Sequence, residues 1–322
     1  MPKKNIALLI ATTTIVLSAI FLFPLNPATQ GVSQTQDFEI GEGEGFLSIS
    51  HRLKDGGFIR SVYAFELLAF ITGSADEFKP GVYAINPSRG SFDILKELVA
   101  GPHREVSVRI YEGASVYEID KLLEGLSIIE KGKLVNLAAG KKLEGRLFPD
   151  TYRFFKKSGA EDIAKKFLEN FSVKTAGMFE GYGEEDIKDI LIMASLVEKE
   201  VPRHEDRKIV AGIIKKRLKV GMPLQVDATI CYIKRIREYP ELNGCHPLSR
   251  LDFGIDSAYN TYLYKGLPPG PIGNPGVSAI SAVIDSSPSS YWFYLSDPET
   301  QATIFSGSLD EHNDNRAKYL GL

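Results

Sequence analysis

Residues Glu184–Glu200 read EEDIKDILIMASLVEKE. Ile187, Ile190, Leu191, Ala194 and Val197 recur at helical spacing on one face, while Met193 and Leu196 cover the other. The spacing therefore predicts a helix that is apolar on both sides and buried. Three acidic residues in its first turn suit the positive end of the helix dipole, and Pro202 stops it at the other end. Glu200 then sits in the last turn, where unpaired carbonyls disfavour a negative charge, on a face shared with Leu196 and Met193. Dipole and desolvation both push such a carboxyl upward in pKa, and Lys199 and Arg203 oppose the shift. A carboxylic acid that stays protonated near neutral pH is what protonation of a glycosidic oxygen requires. The competing reading is an exposed Glu in a frayed turn, since structural carboxylates are also perturbed. Glu198 points into the isoleucine-rich face, either as a buried partner or as a structural hydrogen bonder.

Upstream of this helix the pattern mixes short strands and helices. FEI (38–40), a Gly-rich GEGEG and FLSISHRLKDGG give strand, turn and a short helix ended by Gly56 and Gly57. A helix at SVYAFELLAFITG, a strand at GVYAI and a helix at FDILKELVAG follow. VSVRIYEGASVYEIDKLLEG (106–125) then repeats the opening unit weakly: Glu112-Gly113 matches Glu42-Gly43, Ile110 matches Ile40, and Ile119 and Leu123 match Ile49 and Leu53. Downstream come a helix (VSAISAVIDS), a hairpin turning at Asp297-Pro298 and a last helix near LDEHNDNRAKYL. Strands and helices are mixed without regular βαβ alternation, which predicts the α+β class.

With 322 residues the chain is long enough for two domains, and Lys+Arg 38 against Asp+Glu 41 leaves no basic excess to neutralise a phosphate backbone. Nucleic acid is not an expected partner. With 2 Cys, 5 His and no CxxC or HExxH spacing, no metal or cofactor is implied. Lys3 and Lys4 precede an uncharged run, Ile6–Phe23, whose helical length of roughly 27 Å matches a bilayer core. Pro24 ends it. A cleaved signal peptide is the alternative, but NPATQG offers no good small-x-small site. Basic residues before the run and none directly after it place the remainder outside the cytoplasm, on a single-pass anchor in the cytoplasmic membrane. Asn26–Asp37 is polar and reads as a linker. An oxidising compartment permits a bridge between Cys231 and Cys245, closing KRIREYPELNG; two buried free thiols are the alternative. Replacing both is then expected to lower stability more than activity.

LEGRLFPDTYRF (143–154), MASLVEKE (193–200), GMPLQVDATICY (221–232), SAYNTYLYKGLPPGPIGNPG (257–276) and EHN (311–313) together resemble the endolytic murein transglycosylase (MltG, YceG-like) family. The resemblance runs from the apolar run to the last helix. It implies a cytoplasmic stub and anchor at 1–24, a linker at 25–37, a LysM-like membrane-proximal subdomain at 38–105 and a catalytic domain at 106–322. It also implies peptidoglycan glycan strands as substrate, with peptidoglycan synthases as candidate partners, and it makes Glu200 the catalytic acid. Glu200 would donate a proton to the oxygen linking N-acetylmuramic acid to N-acetylglucosamine. The resulting carboxylate would then deprotonate the same sugar's 6-hydroxyl, leaving a 1,6-anhydro end. A lysozyme-like muramidase would need a second carboxylate, for which Glu144, Glu198 and Asp150 are available. A noncatalytic glycan-binding scaffold is the reading from another class.

Other motif positions become candidate substrate contacts. Glu144 and Asp150 flank a Phe-Pro turn; Glu144 reads as a cleft residue, and Asp150 either as a cleft residue or as a cap of the turn. Gln225 and Asp227 face one way if LQVDATI is extended, but Asp227 equally suits the N-cap of a helix beginning at Ala228. Prolines exclude helix and central strand from Tyr259–Gly276, so that loop is a rigid wall. There Tyr259 and Tyr262 offer flat faces to sugar rings, with Asn260 and Thr261 between them as hydrogen-bonding groups. In the terminal motif, His312 reads as a hydrogen bonder rather than a base, beside Asn313.

Overall fold

The computed structural model describes residues 23–29, 34–102, 105–239, 245 and 247–321. Apart from Phe23, the run read as an anchor lies outside the described residues; among these, no helix is long and apolar enough to cross a membrane. The chain divides into two compact units, one of residues 1–107, 126–130 and 153–159, the other of 108–125, 131–152 and 160–322.

In the first unit, β1 (Gln36–Ile40), α1 (Phe46–Asp55), α2 (Val62–Thr72), β2 (Gly81–Ile85) and α3 (Ser91–Ala100) follow in order. β1 and β2 pair antiparallel with Phe38 opposite Tyr83 and Ile40 opposite Gly81. Alternation along both strands turns Phe38, Ile40, Tyr83 and Ile85 inward onto Ile49, Leu53, Phe65, Ile94 and Leu98. Ser61 caps α2 by accepting the Ala64 N–H at 3.3 Å, and Gly73 ends it in the left-handed region. The expected linker is tied down where it is described: the Thr29 N–H donates to the Pro87 carbonyl at 3.3 Å.

β3 (Glu105–Arg109), α4 (Val116–Gly125), α5 (Lys133–Lys141), β4 (Thr151–Phe155), α6 (Ala160–Lys174) and α7 (Glu184–Glu200) come next. α8 (His204–Lys219), α9 (Asp227–Glu238), α10 (Val277–Ile284), β5 (Phe293–Ser296), β6 (Thr303–Ser306) and α11 (Leu309–Leu320) complete the described α-helices and strands, and short 3-10 turns lie at Phe23–Leu25 and Asp252–Gly254. The sheets are β1-β2, β3-β4 and β5-β6, each two-stranded, so the protein is a mixed α+β structure rich in helix. The core of the second unit is α7 packed on α8 and α10 through Ile190, Ala194, Val197, Val210, Ile214, Ile280 and Val283. Burial is continuous from Ile190 to Val197, as a helix apolar on both faces demands.

The internal repeat is real at the backbone. Gly43 and Gly113 both turn with positive φ, at 74° and 77°, after the equivalent buried residues Ile40 and Ile110. Against the second of these turns lies the Pro/Gly loop, which is irregular throughout, as expected. A Cβ on Gly273 would stand 2.3 Å from the Gly113 carbonyl oxygen, so only glycine permits that approach. The two strands of chain exchange main-chain bonds there, Gly113 N–H to Asn274 O at 2.8 Å and Asn274 N–H to Ala114 O at 2.9 Å.

Candidate active site

Glu200, the last residue of α7, opens into a cleft of about 970 Å³ walled by α8, α9, β5 and α11. Arg217, in the last turn of α8, sets two of those walls. Its Nη1 donates to the Leu224 carbonyl at 2.7 Å, and its Nε and Nη2 donate to the Trp292 carbonyl at 3.0 and 2.7 Å. One buried guanidinium thus fixes the chain just before Gln225 and just before Phe293-Tyr294. Thr261 fixes the first wall from below, its Oγ1 accepting the Val226 N–H at 2.9 Å and its carbonyl the Gln225 N–H at 3.1 Å. These bonds hold Gln225 in the left-handed region at φ 53°, a conformation that costs a non-glycine residue about 1–2 kcal/mol. The strained residue lines the cleft.

The Glu200 carboxyl accepts the Tyr294 hydroxyl. Burial pushes its pKa up to about 7, the negative charge of Asp227 adds to that rise, and the Tyr294 hydroxyl and the Arg217 guanidinium oppose it. A carboxyl so placed is present in both protonation states near neutral pH, which suits donation and then removal of one proton. Asp227 is the first residue of α9, whose N-cap is Val226, so the expected capping role is not what its side chain does. Its carboxylate instead accepts the Tyr262 hydroxyl across the cleft wall. His312 also lines the cleft, with its ring stacked on Phe293 at 5.1 Å and a buried Nδ1 that has no partner among the described residues. Burial and the nearby Arg316 and Arg217 lower its pKa.

The remaining candidates are dispersed. Glu144 lines a second cavity of about 740 Å³ with Tyr259 and Pro269–Pro271, and Tyr232 lines both spaces. Its oxygens accept the Val116 N–H at 3.1 and 3.2 Å, the Tyr232 hydroxyl at 3.1 Å and Asn274 Nδ2 at 3.0 Å, and burial lifts its pKa to about 8. Asp150 lines neither space; it accepts the Thr151 N–H at 2.7 Å, Asn170 Nδ2 at 3.1 Å and Lys174 Nζ at 3.1 Å, which hold its pKa low. Glu198 is buried, paired with Arg207, and accepts the Gly276 N–H at 3.0 Å. It is a structural hydrogen bonder. In the Tyr259–Tyr262 stretch only Tyr262 reaches the cleft. Tyr259 packs on Tyr232 at 5.0 Å, Asn260 is buried and donates to the Phe253 and Ile255 carbonyls at 3.0 and 2.8 Å, and Thr261 clamps Gln225 and Val226. Asn313 is exposed and lines neither space.

Sequence reasoning missed Tyr294 and Arg217, although YWFYLS alternates like a strand and Arg217 sits in a basic helix whose buried face is visible in its periodicity. It also missed the pairing of Glu118 with Arg235 at 2.6 Å and with Lys199 at 3.9 Å, which supplies two cations of the cleft wall.

The YceG-like family profile matches residues 38–318. The chain belongs to the YceG-like family. Among its relatives is the endolytic murein transglycosylase of Bacillus subtilis (strain 168), 28% identical over 95% of this chain and 91% of that protein. Another is the endolytic murein transglycosylase of Streptococcus pneumoniae serotype 2 (strain D39), 26% identical over 87% of this chain and 58% of that longer protein. The crystal structure of a yceG-like protein from Listeria monocytogenes superposes with a TM-score of 0.55 at 26% identity, covering 88% of this chain and all of the other.

In this YceG-like chain Cys231 and Cys245 are bonded, with Cα atoms 5.3 Å apart, and both line the cleft. The bridge belongs to the site's wall, which the expectation of a purely stabilising role did not include. Replacing both by Ser should lower stability by about 3 kcal/mol by releasing the unfolded loop. Urea denaturation of the oxidised wild type and the double variant checks this; coincident midpoints would show that the bridge contributes nothing.

Proposed function

We infer that this protein is an endolytic murein transglycosylase, a lyase that cuts the β-1,4 bond between N-acetylmuramic acid and N-acetylglucosamine within glycan strands and leaves 1,6-anhydro ends. The observation that carries the reading is Glu200: a carboxyl poised near neutrality in a cleft of about 970 Å³, in a chain related over most of its length to endolytic murein transglycosylases. Protonated Glu200 donates to the glycosidic oxygen while positive charge develops at the muramic anomeric carbon. The carboxylate so formed takes the proton of the muramic 6-hydroxyl, whose oxygen attacks that carbon. The Asp227 carboxylate, held by Tyr262, supplies negative potential in the same cleft as that cation. Gln225, Tyr262 and His312 contact the sugars flanking the scissile bond, and the strand continues over Tyr232 into the cavity of Glu144 and Tyr259. The βααβ order of the first unit supports a LysM-like subdomain, and the apolar run Ile6–Phe23 supports a single-pass anchor that leaves the cleft outside the cytoplasm.

Asp227 also favours a second reading, since a cleft carboxylate beside an acid is what a hydrolysing muramidase uses. Long uncrosslinked strands digested in isotopically labelled water separate the two. Anhydro ends, unlabelled and resistant to borohydride, are expected. Reducible, labelled muramic ends as the main product would establish hydrolysis, and release of terminal disaccharides alone would contradict internal cutting.

The electrostatics of the acid give opposed predictions. Because Glu200 must be protonated to act, kcat/KM falls as pH rises through about 7. Tyr294→Phe removes a donor to the carboxylate, so the alkaline limb should move to higher pH; Asp227→Asn removes a repelling charge, so the limb should move lower. Profiles of kcat/KM against pH for both variants are the check, and limbs moving in the same direction would contradict the assignment.

A further inference from the structure

A second surface belongs to the first unit. α2 reads VYAFELLAFIT, with Glu66 as its sole charged residue. Ala64, Phe65 and Ala69 face the core of the first unit, yet Tyr63, Leu67, Phe70 and Ile71 stand 85%, 45%, 79% and 65% exposed. Their spacing places them on one stripe, so the helix is apolar toward solvent as well as toward the core. Exposed stripes of this kind mark an interaction surface.

The described residues that follow the apolar run sit beside this helix. Arg60, just ahead of α2, stands 5.1 Å from the Phe23 ring centroid, and its Nε donates to the Pro27 carbonyl at 2.6 Å. Phe23 is itself 64% exposed, and the sequence leading into it, Ile6 to Leu22, carries no charge. The chain therefore passes from its most apolar sequence directly to the start of α2. On the neighbouring α3, the exposed Phe92 carries the Lys96 ammonium 4.4 Å from its ring centroid. Aromatic rings beside Arg and Lys suit the boundary between acyl chains and anionic headgroups.

We propose that α2 lies on the bilayer, with Tyr63, Leu67, Phe70 and Ile71 at the boundary between headgroups and acyl chains, so that the first unit is a peripheral membrane contact in addition to the anchor. The occupant of the stripe is lipid. This rests on the reading of Ile6–Phe23 as an anchor, which delivers α2 to the bilayer surface.

The test uses the full chain reconstituted into vesicles of phosphatidylglycerol and phosphatidylethanolamine, with Trp introduced as Phe70→Trp or, one turn away, as Leu67→Trp. Lys165→Trp, on α6, is the control, and the native Trp292 is a background common to all. With lipids brominated in the upper acyl chain, Phe70→Trp and Leu67→Trp are expected to show blue-shifted emission and at least twofold quenching of the added signal, with Lys165→Trp unquenched. Co-flotation with vesicles but no more quenching at either probe than in the control overturns the proposal and leaves the anchor standing. A blue shift without quenching assigns the stripe to protein, such as a second copy, and also overturns it. Failure of the chain to float overturns the anchor and this proposal together.

Discussion

Glu200→Gln should lower strand cleavage about 10³-fold or more while leaving the fold and glycan binding intact. Gln matches the size of Glu but has no acidic proton to donate and no carboxylate to receive one. A general acid or base is worth about 10²–10⁴-fold at each step, and here one group serves both. Arg217 and Gln225 remain in place to shape the cleft, because their bonds to main-chain groups do not involve Glu200, and Tyr294 is held in β5 opposite Phe305. The variant also carries a stability signature. The folded pKa of about 7 lies above the ordinary 4.5, so the stabilising share of this group is complete below about 4.5 and is lost as pH rises through about 7. Above that, the native protein holds an ionised carboxylate in a poorly solvated place, and Gln does not. Glu200→Gln should therefore melt higher than wild type at pH 8, with the gap closing toward pH 5. Muropeptide analysis with melting curves at both pH values reads the two effects. A folded variant keeping a tenth of wild-type turnover would remove Glu200 from the mechanism.

Asn274→Ala should destabilise the protein by about 3–4 kcal/mol, a large part of the 5–15 kcal/mol that holds an ordinary domain. Asn274 is fully buried. Its Oδ1 accepts the Leu147 N–H at 2.8 Å, and its Nδ2 donates to the Ala114 carbonyl at 2.8 Å and to Glu144 at 3.0 Å. Three segments distant in sequence meet on that one amide. Ala leaves the Leu147 N–H buried without its partner, at about 1–3 kcal/mol, removes one of the donors to a Glu144 oxygen that keeps the Val116 N–H, and opens a small void. Asn274→Asp keeps the acceptor for Leu147, loses both donors and sets a second carboxyl against Glu144, so it should be as damaging as Ala or worse. Urea midpoints for both variants are the measurement; a loss below about 1 kcal/mol in Asn274→Ala would show that the network adds little.

Much of the catalytic unit is local and was legible. Glu184–Glu200 forms one helix with the expected ends, because an apolar pattern on two faces, acids in the first turn and a proline after the last leave little choice. The Pro/Gly loop is irregular for an equally local reason, and the weak repeat shows in matching positive-φ glycines. The Tyr259–Tyr262 motif was not legible in detail. An irregular loop has no period, so nothing in four consecutive residues says that Asn260 and Thr261 turn into the core while Tyr262 alone faces the cleft. Asp227 misled for a related reason: a helix-start residue has a local capping option, but Tyr262, thirty-five positions on, takes its carboxylate.

The mixed α+β class, the buried helix and a carboxyl at its end with reason to stay protonated follow from the order of residues alone, since periodicity, capping and dipole act over a few residues. Which groups surround that carboxyl is set by the folded chain. Tyr294 and Arg217 act on Glu200, Cys231 and Cys245 join in the cleft wall, Glu144 lines a second cavity, and Asp150 is bound to Asn170. Those outcomes depend on contacts between segments far apart in the chain, and their energies come from shared burial and from hydrogen bonds that no local pattern specifies.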